Sequence, residues 1–278
     1  MTILVFTGIL LIGAFAAGLL GSLTGLGGGV VIIPLLTLGF GVDIRYAIGS
    51  SLVAVIATSS GSAVAYVKEG YSNIRLGMFL EVATTTGAIL GAFLAIYAPT
   101  HLIAIIFGTI LILSTASSYV KKQGAPDTAG SALAAKLTLN GQYPDGQGGW
   151  QAYGVHRVYG GFGMMTLAGM LSGLLGVGSG ALKVIAIDNI MRVPFKVSTT
   201  TSNFMIGVTA AASAGIYLYR GYIDPGIAMP VVLGVLGGAF LGSRILAGAR
   251  PAWLRVIFTV VVVFLAVEMI YNGATHRI

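Results

Sequence analysis

Two runs of glycine lie where helices should be continuous. GLGGG at Gly25–Gly29 and GVGSG at Gly176–Gly180 interrupt long apolar stretches, and the first stretch carries no charged side chain from Met1 to Val42. Glycine costs a helix interior roughly 1 kcal/mol relative to alanine, so both runs predict a broken helix. A helix that restarts after such a break presents unpaired N–H groups and a partial positive charge, which suits an anion. The missing side chains also let a ligand approach the backbone. Hydroxyl-rich segments follow each break: GSSLVAVIATSSGS from Gly49 to Ser62, and STTTSNFMIGVT from Ser198 to Thr209. Their hydroxyl and amide groups could donate hydrogen bonds to oxyanion oxygens. Lys183 stands three residues past Gly180, where a cation opposes the helix dipole unless an anion joins it. The candidate substrate-binding set is therefore Gly25, Gly27, Gly28, Gly29, Ser50, Ser51, Gly176, Gly178, Ser179, Gly180, Lys183, Thr200, Thr201, Ser202 and Asn203. Its chemistry is anion binding.

Each of these residues has a plainer use. Glycine serves close helix packing in membranes, which is the preferred reading for Gly87, Gly91, Gly238 and Gly242. Serine and threonine bond their own helix carbonyls, and Lys183 could pair with Asp188 or snorkel. The matched runs and clusters favour the ligand reading. Among the other ionisable residues inside apolar segments, Glu81 is a weak candidate for proton coupling, Asp188 is placed to pair with Arg192, Arg244 to snorkel, and Glu268 has no evident partner. No catalytic constellation is expected. His101, His156 and His276 have no metal-ligand spacing, cysteine is absent, and neither glycine run is followed by the Lys-Ser/Thr of a P-loop. Neither a cofactor nor a metal is implied.

These groups need apolar elements to hold them. The 278 residues are 56% hydrophobic and 8% charged, with a mean hydropathy of +0.94. A soluble domain carries about 25% charged residues, so the composition predicts an all-α integral membrane protein, its apolar runs being long enough for helices that each need about 20 residues. No Lys or Arg precedes Arg45, so the start lacks the basic region of a cleavable signal. The net charge of +7 reads as basic cytoplasmic loops, with no nucleic-acid partner.

A single offset of 151 aligns the two halves. It superimposes Gly25, Gly27 and Gly29 on Gly176, Gly178 and Gly180, and Arg45 on Lys196. It also superimposes Ser51 on Ser202, Thr58 on Thr209, Tyr66 on Tyr217, and Gly70-Tyr71 on Gly221-Tyr222. Matches of this kind in one register indicate a duplicated unit. Each half holds one interrupted segment, 3–40 and 159–191, followed by three ordinary ones at 46–67, 78–98 and 102–120, and at 197–219, 226–247 and 252–272. If each interrupted segment turns back at its glycines, only Arg45, Arg220 and Arg277 of the 14 Lys and Arg outside Lys183 fall on one face. A single crossing divides them almost evenly. By the positive-inside rule, the expected fold is about ten transmembrane segments in two inverted five-segment repeats with broken helices. The division is 1–120, a cytoplasmic linker at 121–157, and 158–278, with both termini extracytoplasmic. The arm after the first break, 28–40, spans about 20 Å of helix against a core of about 30 Å. Within the linker, LTLNGQYPDG suggests a hairpin turning at Asn140-Gly141.

GLGGGVVIIPLL in the first half, and GVGSGALKVIAIDNIMRVPFKVSTTTSNFMIGVTAAASAGIYL in the second, resemble the TauE/SafE sulfite exporter family, also called the toluene sulfonate uptake permeases. The chain departs from the family pattern at Ser179 and Ile185, where glycine and proline are more usual. The resemblance covers the chain outside 121–157 and implies an inner-membrane carrier for sulfite, thiosulfate, sulfonates or related small anions. The expected function is secondary transport of such an anion by alternating access. The rivals are an anion channel built from the same residues and a carrier for non-sulfur carboxylates.

Overall fold

The helix Val158–Leu175 stops where the second run of glycines begins. A computed structural model describes residues 3–24, 29–68, 70–117, 130–144, 149–246 and 251–278. Helix α1 spans Ile3–Thr24, and after the first break α2 spans Gly29–Pro34 and widens into a π-helical stretch at Leu35–Gly39. Then come α3 (Ile44–Lys68), α4 (Ile74–Tyr97) and α5 (Thr100–Ser117). The second half runs α7 (Val158–Leu175), α8 (Gly180–Ile185), a π-helical stretch at Ala186–Ile190, α9 (Phe195–Tyr219), α10 (Pro225–Leu246) and α11 (Pro251–Ala274). The protein is an all-α membrane protein in its main body. Three helices among the described residues are long and apolar enough to cross a membrane, Ile74–Tyr97, Val158–Leu175 and Pro225–Gly242, and shorter apolar helices accompany them.

The offset seen in the sequence reappears in the elements. The starts at Gly29, Leu35, Ile44, Ile74 and Thr100 recur 151 residues later at Gly180, Ala186, Phe195, Pro225 and Pro251. Packing follows the same exchange: α1 lies on α10 and α7 on α4, while α3 packs on α9 and α5 on α11. Both short arms end on one bond, from Val42 N–H to Leu36 O at 3.0 Å and from Val193 N–H to Ile187 O at 3.1 Å. Pro34, which lacks an N–H, stands just before the first π-helical stretch, where a widened helix accommodates it. Ile185 holds the corresponding place in the second half and the helix widens there too. Tertiary packing therefore maintains the widening without proline.

Small residues dominate the packed face of α4, and several large ones point away from it. Helix α4 buries Gly77, Ala83, Thr84, Gly87, Ala88, Gly91 and Ala92, and exposes Met78, Val82, Leu90 and Phe93. Lipid tails are as apolar as leucine, so helices in a membrane gain by close approach of backbones. A side chain at Gly87 would strike the Thr166 carbonyl, one at Gly91 the Met170 carbonyl, and one at Gly238 the Phe15 carbonyl. On α7, Gly169 and Gly173 stand against the carbonyls of Thr84 and Ala88. Packing is the role of these glycines. Glu268 does have a partner: Asn272 Nδ2, one turn on, donates to its carboxylate at 3.0 Å.

The centre of the chain does more than connect. Residues 132–136 form α6, which is capped by Ser131. Strands β1 (Gly141–Pro144) and β2 (Trp150–Tyr153) pair antiparallel with Gly141 opposite Tyr153. The hairpin is present, but its turn lies between Pro144 and Trp150 rather than at Asn140-Gly141. Asn140 is occupied otherwise, its Oδ1 accepting from Val155 N–H at 2.9 Å, which holds this dipeptide at the base of the hairpin. Ala134, Leu139, Tyr153 and Val155 are buried in one core with Leu76, Leu80, Val158, Met191 and Val197. Asn73 anchors the insert: its Nδ2 donates to Leu139 O and to Tyr153 Oη, both at 2.8 Å, and its Oδ1 caps α4 through Leu76 N–H. Burial pushes the Tyr153 phenol up to about 12, so it stays protonated at neutral pH.

The carbonyl contacts of α4 and α7 predict an asymmetric response to added side chains. Gly173→Val should lower stability by about 1–3 kcal/mol through overpacking, while Gly215→Ala, which has open space around it, should be near neutral. Thermal unfolding of both variants in detergent checks this.

Candidate functional site

The second break is a left-handed turn. Gly176, Gly178 and Ser179 have φ of +68°, +75° and +47°, a region that glycine enters freely and other residues enter at a cost. Ser179 thus stands where the backbone favours glycine. Gly176 N–H closes α7 on Ser172 O, and α8 begins at Gly180.

Helix α3 joins the two breaks. Ser51 Oγ donates to Gly176 O at 3.0 Å, and a Cβ built at Gly29 would meet Ser51 Oγ at 2.8 Å, Val55 Cγ2 at 2.9 Å and Gly176 O at 3.5 Å. A Cβ at Gly178 would lie 2.8 Å from Ile206 Cγ2 and 3.4 Å from Val55 Cγ1. Gly29, Gly176 and Gly178 therefore gather around Ser51 and Val55 of α3 and Ile206 of α9. Gly25, Gly27 and Gly28 lie outside the described residues.

The hydroxyl cluster divides in two. Ser202 Oγ donates to Gly180 O at 3.2 Å, so Ser51 and Ser202 both satisfy carbonyls at the turn. Thr200 and Thr201 are held elsewhere, at the connection between α3 and α4: Thr200 Oγ1 donates to Tyr71 O and Thr201 Oγ1 accepts from Asn73 N–H, both at 3.0 Å. Ser50 is fully buried, and its hydroxyl has no hydrogen-bond partner. Asn203 is half-buried.

Lys183 is completely buried. Its ammonium donates to Thr209 Oγ1 at 2.6 Å and to Met205 O at 3.4 Å. Thr209 Oγ1 in turn lies 2.7 Å from Glu81 Oε1 and 2.9 Å from Met205 O. Thr85 Oγ1 is a further donor to Glu81 Oε1, at 3.2 Å. A buried cation and a buried carboxylate thus share one hydroxyl between them. Glu81 was legible only as a weak candidate for proton coupling, and Thr209 only as a member of the hydroxyl-rich segment. Both signals were present, an acidic residue inside an apolar segment and a threonine repeated at Thr58, but which helix faces Lys183 is a tertiary matter.

A helical membrane body with a segment broken at a left-handed turn, and buried charges beside that turn, fits the class of membrane transporters. The chain belongs to the family described as sulfite exporter TauE/SafE, whose model matches residues 10–269. It is 28% identical to "Probable membrane transporter protein YunE" of Bacillus subtilis (strain 168), across 95% of this chain and 97% of that one. It is 26% identical to "Probable membrane transporter protein YdhB" of the same organism, over 83% and 86% of the two chains. A relative from Methanocaldococcus jannaschii, "Probable membrane transporter protein MJ0441", is 24% identical over 90% of each chain. No solved structure matches.

The turn geometry sets two opposite expectations. Gly178→Val should abolish binding and transport, because the left-handed backbone and Ile206 both exclude a branched side chain. Ser179→Gly should raise stability by about 1 kcal/mol by relieving the left-handed serine. Ligand binding and melting temperature of the two variants test the pair; normal binding by Gly178→Val would return this glycine to a packing role.

Proposed function

We propose that the protein is a secondary transporter of a small sulfur-containing anion, such as sulfite, thiosulfate or an organosulfonate. It works across the inner membrane by alternating access between two inverted five-segment halves. The observation that carries this reading is Lys183, fully buried beside the second break and donating to neutral oxygens. A cation kept in an apolar interior is expensive, and an anion brought to the neighbouring turn would offset it. Ser50, next to Ser51 in the chain, supplies a buried hydroxyl with no hydrogen-bond partner, and Asn203 an amide. The family supports the sulfur oxyanion as substrate class.

The inverted arrangement, with residues 1–120 and 158–278 as the halves and 121–157 as a cytoplasmic linker, is supported by loop charge and by one pair of contacts. The Arg45 guanidinium lies 5.9 Å from the centre of the Tyr222 ring, and the Lys196 ammonium 5.3 Å from that of Tyr71. Both are within the range of cation–π attraction. The two cations are 151 residues apart and so are the two rings, and each cation reaches the ring of the other half. Two halves related by an axis in the membrane plane would set these contacts on opposite faces. Arg45 also holds α4 through Ala98 O at 2.9 Å.

Two measurements test this reading. Purified protein should bind at least one of sulfite, thiosulfate, sulfate, methanesulfonate and acetate in calorimetry, with sulfur oxyanions ahead of the carboxylate; preference for acetate would replace the substrate class. The chain has no cysteine, so single cysteines report topology cleanly. In intact cells Thr275→Cys should react with an impermeant thiol reagent and Gln142→Cys should not. The reverse pattern would sink the proposed orientation.

A further inference from the structure

The charged relay breaks the internal symmetry of the protein. At the offset of 151, Lys183 corresponds to Ile32 and Glu81 to Val232, whereas Thr209 corresponds to Thr58. The hydroxyl belongs to both halves, and the two charges belong to one arrangement only. Both charged side chains are buried. Glu81 Oε1 receives Thr209 and Thr85, while Glu81 Oε2 is buried with no hydrogen-bond partner. An ionised carboxylate with one bare oxygen in an apolar interior depends on its compensating charge. That charge is Lys183, and it reaches Glu81 through Thr209.

The helices packed on α4 are α7 and α9. The titratable residue of α7 is Tyr159, which is exposed. On α9, Lys196 lies on the Tyr71 ring, Tyr217 Oη bonds Gly173 O, and Tyr219 is exposed. Lys183, from α8, is the charged group that faces the Glu81 carboxylate.

We infer that Glu81 is the proton-coupling residue of the transporter: it neutralises Lys183 when the site is empty, and takes up one proton when an anion replaces it as the counter-charge of Lys183. The inference rests on the anion-transport reading. The charges balance at each stage. Empty, the site holds one ammonium and one carboxylate. Occupied by a monoanion, it holds the ammonium, the anion and a neutral carboxylic acid, whose proton comes from solvent and sits on the bare Oε2. Thr209 is the pivot, since its single hydroxyl hydrogen points to Glu81 Oε1 in one state and to Met205 O in the other. Anion and proton then move in the same direction, and transport of a monoanion is electroneutral.

The test is methanesulfonate binding to the full-length protein from pH 5 to pH 9, a range over which this monoanion does not titrate. Between the pH at which Glu81 ionises in the empty site and the higher pH at which it ionises in the occupied site, affinity should fall tenfold per pH unit, the slope for one linked proton. Glu81→Gln should bind methanesulfonate with no such slope, because the amide carries no charge to neutralise. If Glu81→Gln does not fold, Glu81→Asp must retain the slope with a displaced midpoint. A flat profile in the wild type, or an unchanged slope in folded Glu81→Gln, or a flat profile in Glu81→Asp, overturns the inference while leaving anion binding in place. Failure of the wild type to bind any anion of the calorimetric series overturns the transport reading itself, and this inference with it.

Discussion

A backbone that leaves the helix inside an apolar body must find new partners for its N–H and C=O groups, and the rest of this structure is arranged around that need. Helix α7 ends at Leu175 and α8 starts at Gly180, leaving a left-handed turn between them. The carbonyls of Gly176 and Gly180, at the two ends of that turn, accept from Ser51 of α3 and Ser202 of α9. Those two serines occupy corresponding positions in the two halves, so each ordinary helix after a break contributes one hydroxyl to the same turn. The break is stable because α3 and α9 pack on each other and bring both hydroxyls to it.

Close backbone contact is what allows that packing. Glycines on α4 and α7 set carbonyl against α-carbon along the crossing, and those on α1 and α10 do the same at the corresponding crossing. Bulky apolar groups are left to face outward, where lipid would meet them. The π-helical stretches at Leu35–Gly39 and Ala186–Ile190 belong to the same economy of space, since each shortens its arm while keeping backbone groups bonded. The central insert is tied to this body through Asn73, which caps α4 and holds Leu139 and Tyr153. Its buried residues share a core with α7 and α9, so it is bound to the elements that carry the second break.

Against this apolar frame, the pair Lys183 and Glu81 is the costly feature. Bonds to Thr209 and Met205 satisfy the ammonium, yet one carboxylate oxygen stays bare. Removing either charge from a buried pair leaves the other uncompensated, which is far more destabilising than losing both. A fold that needed only stability would do as well with Ile32 and Val232 repeated in the second arrangement, as the first already does. Retention of two charges where the internal copy has none points to use rather than support.

How much of this was legible in the residues varies with the range of the interaction. The second break, the start of every major helix to within a few positions, the duplication and the packing role of Gly87, Gly91 and Gly238 follow from local facts: glycine's backbone freedom, apolar run length and a register of identical residues. These the sequence by itself determined. The hairpin was legible as a hairpin, but its turn was misplaced, because Asn140 is drawn to Val155 across the base of the loop. Thr200 and Thr201 looked like neighbours of Ser202 in a single cluster, yet they bond Tyr71 and Asn73 of another connection. Only the tertiary structure decided that Ser51 lies on the second break rather than the first alone, and that Thr209 stands between Lys183 and Glu81. The physical reason is common to both cases: a residue's type states what bonds it can make, and only the crossing of helices distant in the chain states which partner is within reach.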